Sequence, residues 1–113
     1  QIVVCPIVRE ADGLAMSSRN VYLTIQERQA ALVLYRSVCL ADDLYQGGER
    51  RASEIQWRMR ELIDREPLAE LDYISVAEER TLEEIQCVDR PAMVSLAVRI
   101  GRVRLIDNTI LGA

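Results

Sequence analysis

The chain has 113 residues, of which 50% are hydrophobic and 28% charged, and its formal net charge is -4. A domain of this length can bury a core, and no run approaches the ~20 apolar residues of a membrane-spanning helix. All fourteen basic residues are arginine, which excludes catalysis by histidine or lysine. The negative net charge argues against a nucleic-acid-binding protein.

The first predicted element is a strand over residues 2–8, IVVCPIV, a continuous apolar run rich in β-branched side chains. Such a run is typical of a strand that is buried on both faces of a parallel sheet. No alternation of strands and helices follows it. We therefore expect residues 1–10 to be the last strand of a preceding α/β domain, and we expect this strand to be disordered here or paired with a second copy.

Two amphipathic helices are predicted after a loop over residues 11–23. Thr24 and Glu27 have the spacing of a capping box, which starts a helix at residue 25, and Gly47-Gly48 ends it. A second helix over residues 50–65 ends before Pro67. The apolar residues recur at helical spacing: Ala31, Leu34, Tyr35, Val38, Ala41, Leu44 and Tyr45, then Ala52, Ile55, Met59, Leu62 and Ile63. The two helices should pack as an antiparallel hairpin.

The final third of the chain changes to the two-residue period of strands. Residues 71–78 and 92–100 alternate, and Gly101-Arg102 suits a type II′ turn into a third strand over residues 103–107. Residues 81–85, TLEEI, are predicted to form a helical turn that Thr81 and Glu84 would cap. A helical hairpin with three antiparallel strands makes the predicted fold class α+β.

The three cysteines, Cys5, Cys39 and Cys87, are widely spaced and lie in apolar stretches, with no pair or cluster typical of a zinc site. We predict buried free thiols in a reducing compartment. The N-terminus lacks the pattern of a signal peptide. A cytoplasmic protein is the expectation.

The loop DGLAMSSRNVYLT, residues 12–24, combines a glycine, two serines and an arginine. Backbone N–H groups, hydroxyl donors and a guanidinium fork are the groups that hold phosphate oxygens. The alternative is a connecting loop, since Asp, Gly, Ser and Asn are also ordinary turn residues. On residue types alone both interpretations stay open.

The string VREADGLAMSSRNVYLT resembles the nucleotide-binding loop of the pantothenate synthetase (pantoate–β-alanine ligase) family, in which MSSR is the local form of the KMSKS loop. LDYISVAEERTLEEI is similar to a tyrosine-containing strand and acidic turn of that family, and RIGRVRLIDN to its C-terminal VGxTRLIDN ending. The matches cover nearly the whole chain in the family's order.

The resemblance implies a reaction of pantoate with β-alanine that uses ATP and Mg²⁺ and passes through a pantoyl adenylate. It implies that Met16, Ser17, Ser18 and Arg19 form the ATP loop, that Val8 lines the adenine side through its backbone, and that Arg19 offsets charge on the departing pyrophosphate. Met16 is expected to pack rather than react. No metal ligand is assigned to this chain, and neither a nucleic acid nor a membrane is expected as a partner.

The family's histidine pair, its phosphate-binding lysine and its pantoate and β-alanine pockets have no counterpart in this sequence. The resemblance therefore implies a C-terminal domain: residues 1–10 as the last strand of the nucleotide-binding domain, 11–23 as the ATP loop and linker, and 24–113 as a lid. We expect this lid to be inactive alone and the family enzyme to be a homodimer. The alternative is a non-catalytic interaction or dimerisation module whose binding surface is the helical hairpin.

Several other residues are open to a functional interpretation. Arg9 and Glu10 are expected to be a solvated pair rather than supports of the loop. Asp107 and Asn108 are expected to end the last strand in an Asx turn. The glutamates at 78, 79, 83 and 84 favour a solvated face over a metal site. Trp57 and Tyr45 fit either a docking surface or the core.

Overall fold

The computed structural model describes residues 9–112. They form, in chain order, a short 3-10 helix (Ser18–Tyr22), α1 (Ile25–Gln46), α2 (Ala52–Asp64), β1 (Ala69–Glu78), β2 (Ala92–Ile100) and β3 (Val103–Leu111). The predicted α+β class is confirmed. The strand expected over residues 2–8 lies outside the described residues, as do Val8 and Cys5.

Helix α1 begins and ends where the sequence predicts. The Thr24 hydroxyl accepts a hydrogen bond from the Glu27 backbone N–H at 3.1 Å, and the Glu27 carboxylate accepts one from the Thr24 N–H at 3.0 Å. This reciprocal pair satisfies two N–H groups that the first helical turn leaves free. At the other end Gly48 has a φ of +104°, a left-handed conformation that ends helices and favours glycine.

Helix α2 carries the predicted apolar face and packs against α1. Ala52, Ile55, Met59 and Ile63 are buried, while Leu62 is half-buried. The helix ends at Asp64, before Pro67. The short connection over residues 47–51 brings the two helices together as the predicted hairpin.

The three strands form an antiparallel sheet in the order β1-β2-β3. Ile100 pairs with Val103 across Gly101, whose φ of +60° fits the first position of the predicted type II′ turn. The prediction that β3 ends at residues 107–108 is wrong. The strand continues to Leu111, with Asp107 paired with Leu96 in its middle.

Both helices cover the same face of the sheet, so the core lies between two layers. Helix α1 packs on β2 and β3, and α2 packs on β1. The largest side chains that are fully buried there are Leu34, Ile55, Met59, Ile63, Leu96, Ile100 and Leu111.

Residues 81–85 do not form the predicted helical turn. The Thr81 hydroxyl accepts from the Glu83 N–H, two residues on, and Glu84 forms an isolated bridge with Ala77 of β1. Five residues are too few to offset the cost of helix nucleation, and the free edge of β1 offers hydrogen bonds instead. The Glu84 carboxylate also accepts from the Ser75 hydroxyl at 2.8 Å.

The prediction of buried cysteines is wrong for Cys87, which is exposed, and Cys39 is only half-buried. Cys87 lies in an extended stretch whose next side chain, Val88, is 1% exposed and fills the core. Side chains alternate along such a stretch, so Cys87 faces outward. Trp57 is 55% exposed and is therefore no core residue, whereas Tyr45 is half-buried beside Arg50. Within residues 9–112, neither helix combines the length and apolar character that a membrane crossing requires.

Candidate functional site

The loop before α1 is anchored to the domain at its centre by a buried leucine. Leu14 is 2% exposed and belongs to the core, and its carbonyl accepts from the Glu10 N–H at 2.8 Å. Gly13 closes the turn with a φ of +98°, and a Cβ there would lie 2.5 Å from the ring of Tyr35. Only glycine therefore fits this turn against α1.

An ion pair joins the start of the loop to the middle of β3. Arg9 donates two hydrogen bonds to the Asp107 carboxylate, each of 2.8 Å, and a third to the Gly13 carbonyl at 3.0 Å. The Asp107 side chain is 1% exposed and that of Arg9 is 23% exposed. The bond to Asp107 raises the pKa of Arg9 above its ordinary value. This pair holds the loop in a fixed position on the sheet.

A second cluster, centred on Glu10, joins both ends of the loop to α1. The Glu10 carboxylate accepts from the Asn20 amide at 2.7 Å and from Arg28 of α1 at 2.5 Å. The pKa of Glu10 is lowered by the hydrogen bond from Asn20 and further by Arg28. Asn20 is 8% exposed and also donates to the Ala15 carbonyl. The expectation that Arg9 and Glu10 are a solvated pair is wrong, because each makes ion-paired contacts that support the loop.

Between these two anchors, Met16, Ser17, Ser18 and Arg19 are exposed. Ser17 caps the 3-10 helix by accepting from the Arg19 N–H at 3.2 Å, which leaves its hydroxyl hydrogen available. Within residues 9–112 the hydroxyl of Ser18 and the guanidinium of Arg19 make no hydrogen bond. Met16 does not pack in the core, since 57% of it is exposed, and the expectation that it packs rather than reacts stays a prediction. Val8, the remaining predicted ATP contact, lies outside the described residues.

A cavity of about 330 Å³ separates the exposed part of the loop from β3. Its walls include Met16, Ser17 and Arg19 on one side and Arg104 and Ile106 on the other. The cavity therefore presents hydroxyl and guanidinium donors beside apolar surface, a combination that suits a ligand with an anionic and an apolar part.

Three supporting residues were missed by the sequence analysis: Asp107 as a buried anchor, Asn20 and Arg28. The alternation along β3 carried a signal for the first, since Val103, Leu105 and Asp107 share one face of the strand and all three are buried. No local pattern indicates the other two, because Asn20 and Arg28 bind Glu10, which lies ten and eighteen positions away from them, respectively.

Comparison with known proteins gives one consistent result. The family model for pantoate-beta-alanine ligase matches residues 1–110. Over all 113 residues the chain is 55% identical to a pantothenate synthetase of Roseiflexus sp. (strain RS-1), and over 112 residues it is 50% identical to one of Thermotoga petrophila. These alignments cover 100% and 99% of this chain but 41% and 40% of the relatives, so the chain spans about two-fifths of their length.

The solved structure of pantothenate synthetase from Thermus thermophilus has the same fold. It aligns with a TM-score of 0.86 and 36% sequence identity over 95% of this chain and 38% of the other.

Proposed function

The chain belongs to the pantoate-beta-alanine ligase family, and from this premise we propose that it is the part of such a ligase that covers bound ATP. The observation that carries the proposal is the loop over residues 16–19. Its donors are exposed, while both ends are held by the Arg9–Asp107 pair and the Glu10 cluster. Hydrogen-bond donors that are already in position can stabilise the charge of a transition state without a free-energy cost for rearranging the protein.

The proposed reaction has two steps. The carboxylate of pantoate attacks the α-phosphorus of ATP, which forms a pantoyl adenylate and releases pyrophosphate. The amine of β-alanine then attacks the acyl carbon, which forms the amide of pantothenate and releases AMP. Acyl adenylates react with water, so a domain that excludes water from the site protects the intermediate.

Each exposed residue of the loop has a proposed role. Ser17 and Ser18 donate hydrogen bonds to phosphate oxygens, and Arg19 offsets the negative charge that builds up on the departing pyrophosphate. Met16 contacts the nucleotide by packing against it, which its exposure permits. Val8 is proposed to line the adenine through its backbone.

Residues 9–112 contain no group of three or more acidic or cysteine side chains that could hold a metal ion. Mg²⁺ is proposed to accompany ATP, and no residue of this chain is assigned to it. When bound, the metal would neutralise phosphate charge. Ser17, Ser18 and Arg19 would add hydrogen-bond donors to the same phosphates.

The lid is proposed to be inactive alone, because pantoate and β-alanine bind mainly in the part of the enzyme that this chain does not match. The free thiols of Cys39 and Cys87 suit the reducing cytoplasm. A homodimer of the whole ligase is proposed on the family resemblance.

A chimera tests this proposal. The chain replaces the matching segment of the Roseiflexus pantothenate synthetase, and pantothenate formation from pantoate, β-alanine and ATP is measured for the chimera and for the 113-residue chain by itself. We expect activity from the chimera alone. An inactive but folded chimera, or an active isolated chain, would contradict the assignment as a lid.

The second candidate, an interaction module, is favoured by the exposed apolar side chains beside the loop. Val21, Tyr22 and Ile25 are 80%, 74% and 82% exposed, respectively. Neighbouring apolar side chains of this kind are typical of a surface that another protein or domain covers. A Tyr22→Ser chimera with a changed oligomeric state and unchanged kinetics for ATP would favour an interaction module over a lid that closes on the nucleotide.

A further inference from the structure

The turn between β2 and β3 concentrates positive charge in a chain whose net charge is -4. Arg99, Arg102 and Arg104 line a cavity of about 790 Å³ at this end of the sheet. Arg19 of the ATP loop lines the same cavity from the opposite side, with Tyr22. The cavity thus lies between the ATP loop and the turn from β2 to β3, to which the proposed function assigns no role.

Two of these arginines face each other directly. Arg99 of β2 and Arg104 of β3 are paired across the antiparallel strands, and both are exposed. Like charges in directly opposed positions of a sheet destabilise it. A bound anion would reduce the repulsion that remains between the two guanidinium groups.

Three carboxylates near the four arginines offset part of their charge, and the first of them, Glu70 of β1, is paired across the strands with Arg99. The second, Glu27, lines the cavity, and the third, Asp72, accepts from Nε of Arg104 at 2.7 Å. That bond leaves both terminal nitrogens of Arg104 without a hydrogen-bond partner among residues 9–112. In the same range the guanidinium groups of Arg99 and Arg102 donate no hydrogen bond.

Several guanidinium groups around one open cavity suit a ligand that carries several phosphates. Each guanidinium group can donate two parallel hydrogen bonds to one phosphate group. A single small anion cannot accept such pairs of hydrogen bonds from four guanidinium groups at once. The position of Arg19 on the cavity wall connects it with the proposed ATP loop.

We propose that Arg99, Arg102 and Arg104 form, together with Arg19, a binding site for a polyphosphate chain, either the tail of a nucleoside triphosphate or free pyrophosphate. The inference rests on the proposed function in one respect, the sharing of Arg19 with the ATP loop. The three strand-turn arginines then hold the outer phosphates while Ser17 and Ser18 contact the inner ones.

The test is an NMR titration of the ¹⁵N-labelled 113-residue chain with pyrophosphate, ATP and AMP at constant ionic strength. It compares the wild type, the double variant Arg99→Gln/Arg102→Gln, and the matched control Arg60→Gln, which removes an exposed arginine of α2. We expect pyrophosphate and ATP to shift the amides of residues 99–104 and AMP to leave them unchanged. The double variant should lose affinity about tenfold and the control should not.

Melting temperatures with and without pyrophosphate distinguish anion binding from a purely structural role of the strand-turn arginines. Without ligand the double variant should melt at about the same temperature as the wild type, because Arg99→Gln removes both a like-charge neighbour, Arg104, and an opposite-charge neighbour, Glu70. Pyrophosphate should raise the melting temperature of the wild type and of Arg60→Gln more than that of the double variant.

The outcomes separate this inference from the proposed function. Shifts by ATP at residues 14–20 with none at 99–104 would overturn the inference and leave the ATP loop standing. Shifts at 99–104 with none at 14–20 would support the three strand-turn arginines as an anion site, and would overturn both the part assigned to Arg19 and the ATP loop. Equal shifts with sulfate, displacement by single-stranded DNA, or no binding of pyrophosphate would each overturn the inference.

Discussion

The substitution Asp107→Asn tests whether the buried ion pair holds the loop on the sheet. The amide has nearly the shape of the carboxylate, but its NH₂ group faces one of the two Arg9 N–H donors that now bond at 2.8 Å. One hydrogen bond is lost and the guanidinium, 23% exposed, keeps its charge without a counterion. Removing one partner of a buried pair costs about 3–5 kcal/mol, and the partial exposure of Arg9 reduces our expectation to ~2–3 kcal/mol.

The free energy of unfolding, measured by urea denaturation, gives the result directly. For a chain of this length a loss of that size lowers the melting temperature by roughly 10 °C. The matched control is Asp72→Asn, which breaks the Arg104–Asp72 contact of 2.7 Å between side chains that are 42% and 44% exposed. We expect it to cost below ~1 kcal/mol, the usual range for exposed pairs. Equal losses in the two variants would refute the reasoning, because burial would then not matter.

Three further predictions concern the elements around the loop. Thr24→Ala should destabilise the chain by ~1 kcal/mol, since it removes half of the capping box, and an unchanged urea midpoint would contradict this. Gly101→Ala should cost ~1–3 kcal/mol by denaturation, because φ is positive there and the new Cβ would overlap the Glu27 carboxylate. The lowered pKa of Glu10 predicts a contribution to stability that is complete above its ordinary value of 4.5 and is lost as the pH falls through the lower folded value. Unfolding measured from pH 6 to pH 2 should show a smaller loss in Glu10→Gln than in the wild type, and parallel curves would count against it.

The sequence predicted those elements whose signals are local. The capping box at Thr24 and the two-residue turn at Gly101 depend on residues within a few positions, and both are present. The helix faces and the strands follow from hydrophobic periodicity in the same way. The α+β class could therefore be predicted from the sequence without knowledge of any tertiary contact.

The errors fall where distant residues decide the structure. Arg9 was expected in solvent, yet its partner Asp107 is ninety-eight positions away. The turn at residues 81–85 follows a capping pattern, but pairing with β1 supplies its hydrogen bonds instead. Local residue types identified the exposed donors of the loop, and the contacts that hold the loop in place required the fold.

The most direct test of the central claim is the kinetics of the chimera with Arg19→Ala, compared with Arg60→Ala as the matched control. At saturating pantoate and β-alanine, we expect Arg19→Ala to lower kcat/KM for ATP by about a hundredfold or more, the usual effect of removing a donor to developing charge. The KM for β-alanine and the melting temperature should stay unchanged. A value of kcat/KM for ATP equal to that of Arg60→Ala would contradict the assignment of residues 16–19 as the ATP loop.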